Sequence, residues 1–166
     1  MNKKAQTWTV DFILGMVMFI LLVMISVKAI YTLMPNQDYN LIYGSTVLLS
    51  DTLMSGGHPS DWNNTNVILP GVIDDSRVNA TKLSRFDNLN YNSTLSILHL
   101  EHQYIFYFSN GTNIVNISRC VRGYPVHVTG NCNIDLSSIK YDNLVKIERI
   151  VIYNGTILKM VVYGWK

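Results

Sequence analysis

Charge is scarce in this sequence. Of its 166 residues only 14% are Asp, Glu, Lys or Arg, and the formal net charge is +2. No Lys/Arg cluster follows Lys4, so the basic surface that nucleic acid binding requires is missing. There is no Gly-rich phosphate loop and no nucleophile elbow. His99 and His102 are the closest approach to a metal pair among four histidines, but no further Cys or His lies near them. Core or surface histidines are the better reading. His99-Leu100-Glu101 has the spacing of a zinc deaminase but lacks the Pro-Cys-x-x-Cys that would hold the metal. Asp74-Asp75 lacks the spacing of a calcium loop. No constellation supports an enzyme, and no metal or cofactor is expected. Lys and Glu are also sparse beyond Asp51, where Asn, Ser and Thr abound. Solubility there rests on amides and hydroxyls.

What the sequence does have is one long apolar run. From Phe12 to Val27 nothing is charged, and after Lys28 the apolar character resumes through Ala29, Ile30, Tyr31, Leu33 and Met34. Pro35 stops or kinks any helix there. As a helix, Val10 to Met34 would be about 37 Å long, enough to cross a hydrocarbon core of ~30 Å. Lys3 and Lys4 precede the span and Lys28 can snorkel at its far end. The positive-inside rule puts the N-terminus in the cytoplasm and the remainder outside.

Asp11 stands at the lip of this span, where a carboxylate is expensive without compensation. Helix-dipole complementation is one reading. Pairing with a positive charge, such as the free amino terminus of a neighbouring subunit, is the other.

Lys3-Lys4-Ala5, then Gln6, then Trp8-Thr9-Val10-Asp11 resembles the start of the type IV pilins, and more closely of the archaeal pilin-like proteins. Their precursors carry a short basic leader, a small residue before the cut, a polar start to a long apolar helix, and an acidic residue about five positions into the mature chain. The resemblance implies removal of residues 1–5 by a prepilin peptidase recognising Lys4, Ala5 and Gln6, an assembly helix over 6–35, and an external domain over 36–166. Cutting after Ala5 makes Asp11 the sixth mature residue; cutting after Gln6 makes it the fifth. Looser similarities follow in Pro59-Ser60-Asp61-Trp62, Leu69-Pro70-Gly71, Arg77-Val78-Asn79, Lys82-Leu83 and Tyr91-Asn92-Ser93-Thr94. Two other readings of the N-terminus stay open. One is a secretory signal with apolar stretch Phe12 to Ile25 and a cut after Ala29. The other is an uncleaved single-span anchor.

The external part, roughly 130 residues, is one small domain. Its two cysteines, Cys120 and Cys132, favour a disulfide in an exported chain, with two buried thiols as the alternative. The short closed loop would contribute about 3 kcal/mol in the chain-entropy model. Asp38 to Met54 reads as a helix with a stripe of Leu41, Ile42, Ser45, Leu48, Leu49, Thr52 and Leu53. Residues 58 to 80 read as irregular, pinned by Trp62, Ile68, Val72 and Ile73. Helices are expected over Ala80 to Leu89 and Ser93 to Leu100, capped by Asn79 and Asn92. Strands are expected at Gln103 to Phe108, Asn113 to Val121 and Val126 to Val128. Leu144 to Tyr153 and Thr156 to Tyr163 form a hairpin about Asn154-Gly155. The fold class is α+β: a long N-terminal hydrophobic helix packed on an antiparallel sheet of four to five strands.

Asn-x-Ser/Thr occurs six times, at Asn63, Asn79, Asn92, Asn110, Asn116 and Asn154, where chance would give roughly two or three. All six fall on the side assigned to the exterior, in keeping with a glycosylated surface. Asn110 and Asn154 also have turn roles.

Two functions are compatible with these features. The first is a structural subunit, a minor pilin or pseudopilin, whose partners are the membrane, other pilin-like subunits and the processing peptidase. The second is a single-pass, membrane-tethered external binding or adhesion module.

Overall fold

The computed structural model describes residues 3–33, 37–126, 128–129, 132–136 and 139–166. The chain divides near Gln37 into an N-terminal helical unit and a larger α+β unit. The Pro35 break and His127 of the strand expected over 126–128 lie outside the described residues.

The first unit is helix α1, Lys3–Leu33. Its apolar stretch Val10–Thr32 is 23 residues long, about 35 Å, and no part of it is buried. Two hydroxyls inside it are satisfied within the helix. Ser26 Oγ donates to Leu22 O at 2.7 Å and Thr32 Oγ1 to Lys28 O at 2.7 Å. That suits a helix that must carry no unmet polar group through an apolar medium.

The second unit opens with α2, Gln37–Leu53. The residues it buries are Ile42, Thr46, Leu49, Ser50 and Leu53, at three- and four-residue steps. Leu41 and Leu48, expected in that stripe, are instead 69% and 64% exposed on the opposite side. The buried face is partly polar, and each polar group on it has a partner. Thr46 Oγ1 donates to Ile42 O, and Arg149 Nε donates to Ser50 Oγ at 3.2 Å. At Gly164 a Cβ would come within 2.1 Å of Thr46 Oγ1, so only glycine lets the helix lie this close to the sheet.

Next come β1 (Ile73–Asp74), β2 (Arg77–Val78), α3 (Ala80–Asp87) and α4 (Tyr91–Ile97). The β1–β2 hairpin lies within the stretch expected to be irregular. It turns at Asp75 and Ser76, both at positive φ. Asn79 caps α3 as expected, its Oδ1 accepting from the amides of Thr81 and Lys82. The cap of α4 is Asn90, not Asn92: Asn90 Oδ1 accepts the Asn92 amide. Ile68 is exposed rather than pinning the loop, whereas Trp62, Val72 and Ile73 are buried.

Three long strands carry the sheet: β3 (Gln103–Ser109), β8 (Leu144–Tyr153) and β9 (Thr156–Trp165). Among the described residues, four two-residue strands, β1, β2, β4 (Ile114–Val115) and β5 (Arg122–Gly123), bring it to seven, in the order β1-β2-β8-β9-β3-β4 with β5 also on β3; β6 (Val128–Thr129) and β7 (Asn133–Ile134) form a separate pair. All pairings are antiparallel except that of β2 with β8. The expected strand over 113–121 is broken. Only β4 (Ile114–Val115) pairs with β3 there, and the chain returns to β3 at β5 (Arg122–Gly123). β6 (Val128–Thr129) pairs with β7 (Asn133–Ile134).

The inner sheet face supplies Tyr104, Phe106 and Phe108 from β3, Leu158, Met160 and Val162 from β9, and Val151 from β8. Against it lie Leu49 and Leu53 of α2, Leu83 and Phe86 of α3, and Trp62. Phe86 meets Phe106 edge-to-face at 5.2 Å. Each such side chain contributes roughly 1.5–3 kcal/mol by leaving water.

Candidate functional site

Helix α1 is apolar on every side. Phe12, Leu14, Phe19, Met24 and Ile25, which together cover the whole circumference, are each more than 60% exposed. An amphipathic helix could rest one face on its own domain, but one apolar all round needs lipid or other helices around it. Asp11 and Lys28 are the only charges between Val10 and Thr32. Asp11 is exposed and makes no ion pair or hydrogen bond among the described residues. The helix already begins at Lys3, so Asp11 lies in its third turn. The dipole effect fades within the first turn, which weakens the dipole reading of Asp11 in the unprocessed chain. Lys4, Ala5 and Gln6 lie in the first turn, their side chains outside those described.

The loosely spaced motifs that follow the second helix come together in space. Trp62 Nε1 donates to Gly71 O at 2.9 Å, joining Pro59-x-x-Trp62 to Leu69-Pro70-Gly71. Lys82 Nζ donates to Asp74 Oδ1 and to Gly56 O, each at 2.7 Å, and Asn79 Nδ2 donates to Asp74 Oδ2 at 2.7 Å. The Asp74 carboxyl is held below its ordinary value, first by the Lys82 hydrogen bond; burial opposes this, and the Asn79 hydrogen bond and the Lys82 charge add to the lowering. Tyr91 OH donates to Gln103 Oε1 at 2.5 Å, and Tyr104 OH to Thr94 Oγ1 at 2.7 Å. These motifs are tie-points of the domain, and Asp74 is engaged by a lysine rather than standing open to a cation.

Cys120 and Cys132 are joined in a disulfide across a sequence separation of 12. Beside it, Arg122 turns inward from β5 to Asp87 at the end of α3, Nε to Oδ1 at 2.6 Å and NH2 to Oδ2 at 3.0 Å. The Nε contact is too bent to count as a hydrogen bond, so Oδ2 carries the directional bonding. Arg122 also donates to the carbonyls of Ile117 and Arg119 and to Ser118 Oγ, and Ser118 Oγ donates to Asp87. Burial depresses the Arg122 pKa and Asp87 opposes that shift. Nothing in the sequence announced this anchor, whose partners are 35 residues apart.

Five of the sequon asparagines, Asn63, Asn92, Asn110, Asn116 and Asn154, are exposed, and Asn79 is half-buried. His102 is buried with its ring nitrogens 3.2 Å from Ser45 Oγ and 3.3 Å from Thr46 Oγ1. His99 lies apart on the surface at positive φ. Among the described residues no group of three or more His, Cys, Asp or Glu is arranged to hold a metal.

An apolar N-terminal helix of membrane-spanning length followed by a disulfide-bonded α+β domain is a pilin-like architecture. No protein-family model, no curated protein and no solved structure matches the chain.

Proposed function

We propose that the protein is a structural subunit, a minor pilin or pseudopilin of an archaeal type IV pilus-like filament, and has no catalytic role. The observation that carries this reading is α1, apolar around its whole circumference from Phe12 to Val27, with Asp11 before that run and Lys28 after it. In lipid the helix anchors the precursor with its C-terminal domain outside, where the Cys120–Cys132 disulfide is at home. After prepilin peptidase cuts behind Ala5, the same helix packs among the helices of neighbouring subunits. Burying its large side chains there gains roughly 1.5–3 kcal/mol each, enough to hold a filament together outside the bilayer. Leu41 and Leu48, left outward on α2, give the second unit apolar side chains of its own that are open to neighbours.

Asp11 sets the register. Its carboxylate takes the new amino terminus of Gln6 on an adjacent subunit, so neither charge enters the helix bundle alone. The experiment is Asp11→Ala in the native host. Processing and membrane insertion are expected to persist while filament incorporation drops at least tenfold; unchanged incorporation overturns the register role.

A further inference from the structure

The six sequons are not equivalent in the folded domain. At two of them the asparagine and the hydroxyl two residues on are presented together. Asn63 Oδ1 accepts from the Thr65 amide at 2.9 Å and from Thr65 Oγ1 at 2.7 Å. Asn110 Oδ1 accepts from the Thr112 amide at 3.2 Å and from Thr112 Oγ1 at 3.1 Å. Both asparagines and both threonines are exposed. Neither Nδ2 has a hydrogen-bond partner among the described residues.

The other four are occupied or taken apart. Asn79 is half-buried, its Oδ1 spent on the α3 cap and its Nδ2 on Asp74. At Asn92 the required hydroxyl is that of Thr94, which is 2% exposed and held between Tyr91 O and Tyr104 OH. At Asn116 it is that of Ser118, bound to Asp87 and Arg122. Asn154 sits with Gly155 in the positive-φ turn of the β8–β9 hairpin, and its side chain makes no hydrogen bond to Thr156 among the described residues.

We propose that Asn63 and Asn110 are the glycan acceptors of this protein, modified on the folded domain, and that the other four sequons are not. A transferase must grip the amide and the hydroxyl of a sequon at once, and among the described residues only these two turns have both exposed and the hydroxyl bonded to the asparagine itself. The donors on Oδ1, two at Asn63 and three at Asn110 where the Asn113 amide also donates at 2.9 Å, draw electron density from the amide and ease loss of its proton. The donor is a glycan carried on a polyisoprenyl phosphate or diphosphate. The bond from the sugar C1 to the phosphate oxygen breaks and the bond from C1 to Nδ2 forms. The lipid phosphate leaves with the electron pair, and one amide proton passes to a base of the transferase. This inference rests on the external placement of the domain in the proposed function.

The test is site-resolved glycopeptide mass spectrometry on full-length protein extracted from membranes of its native host, alongside protease treatment of intact cells. Sugar is expected at Asn63 and Asn110, with one glycan mass lost in each of N63Q and N110Q. T65A should abolish the Asn63 glycan and T65S should keep it, while N79Q and N92Q leave the intact mass otherwise unaltered. Occupancy at any of the other four equal to that at Asn63 or Asn110 overturns the assignment. Bare Asn63 and Asn110 in a domain that protease digests on intact cells overturn it while the external placement stands. Bare sites in a protected domain overturn both.

Discussion

Lys82 Nζ sits 2.7 Å from Asp74 Oδ1 and is itself almost wholly buried, its side chain 9% exposed against 42% for its partner. The pair joins α3 to the β1–β2 hairpin and, through Gly56 O, to the end of α2. Removing the carboxylate leaves a buried ammonium with one carbonyl for company. Asp74→Ala is therefore expected to cost about 2 kcal/mol, less than a fully buried pair would, because Asp74 is partly in water. Because folding lowers the Asp74 pKa below 3.8, this contribution is present above that pH and is lost as pH falls through the folded value. Chemical denaturation of the wild type and D74A at pH 7 and pH 3 checks both statements: the two should differ at pH 7 and differ less at pH 3.

Arg122 and Asp87 form the more deeply buried pair, with side chains 2% and 8% exposed. Arg122→Ala or Asp87→Ala alone should cost about 3–5 kcal/mol, since each strands a charge in the core. The double variant R122A/D87A should lose clearly less than the two single losses added together. Additive losses in a double-mutant cycle would show that the two side chains stabilise the domain separately.

Burial lowers the His102 pKa from 6.5, so the folded protein resists protonation of this ring where the unfolded chain does not. The unfolded state then binds more protons as pH falls below about 6.5, and folding stability decreases with it. Above that pH the full stability is present. The ring meets the hydroxyls of Ser45 and Thr46 from α2, and Asp38, His99, Glu101 and Lys166 line the adjoining cleft. Melting temperature should fall between pH 7 and pH 5 in the wild type and fall less in His102→Gln. Identical pH slopes would assign the dependence to other groups.

Reducing the Cys120–Cys132 bond should cost about 3 kcal/mol by freeing the loop in the unfolded chain. Protein from its native membrane, alkylated without reduction, should gain no mass, because both sulfurs are engaged in the bond.

Much of this structure could be read from local pattern. The β8–β9 hairpin follows from alternation on both sides of Asn154-Gly155, whose positive φ values are those such a turn needs. Helix α1 follows from its length and lack of charge. The misses lie where distant partners decide. The β1–β2 turn uses Asp75 and Ser76 without a glycine, so no turn signal marks it. The strand expected over 113–121 breaks because Ser118 adopts positive φ and Arg122 is drawn to Asp87. Leu41 and Leu48 looked like core by spacing, yet the sheet accepts the neighbouring face with Thr46 and Ser50, where Gly164 and Arg149 receive them. At the candidate site Asp11 was conspicuous as a charge beside an apolar run, whereas inequality among the sequons appears only when each hydroxyl's partner is seen.

The central claim is that α1 is an assembly helix released by a short cut rather than a plain anchor or a discarded signal. Intact-mass analysis of the membrane-extracted protein tests it most directly, after removal of any glycan. A chain beginning at Gln6, lacking only Met1 to Ala5, is the predicted result. A chain beginning at Met1 or at Ile30 would contradict it.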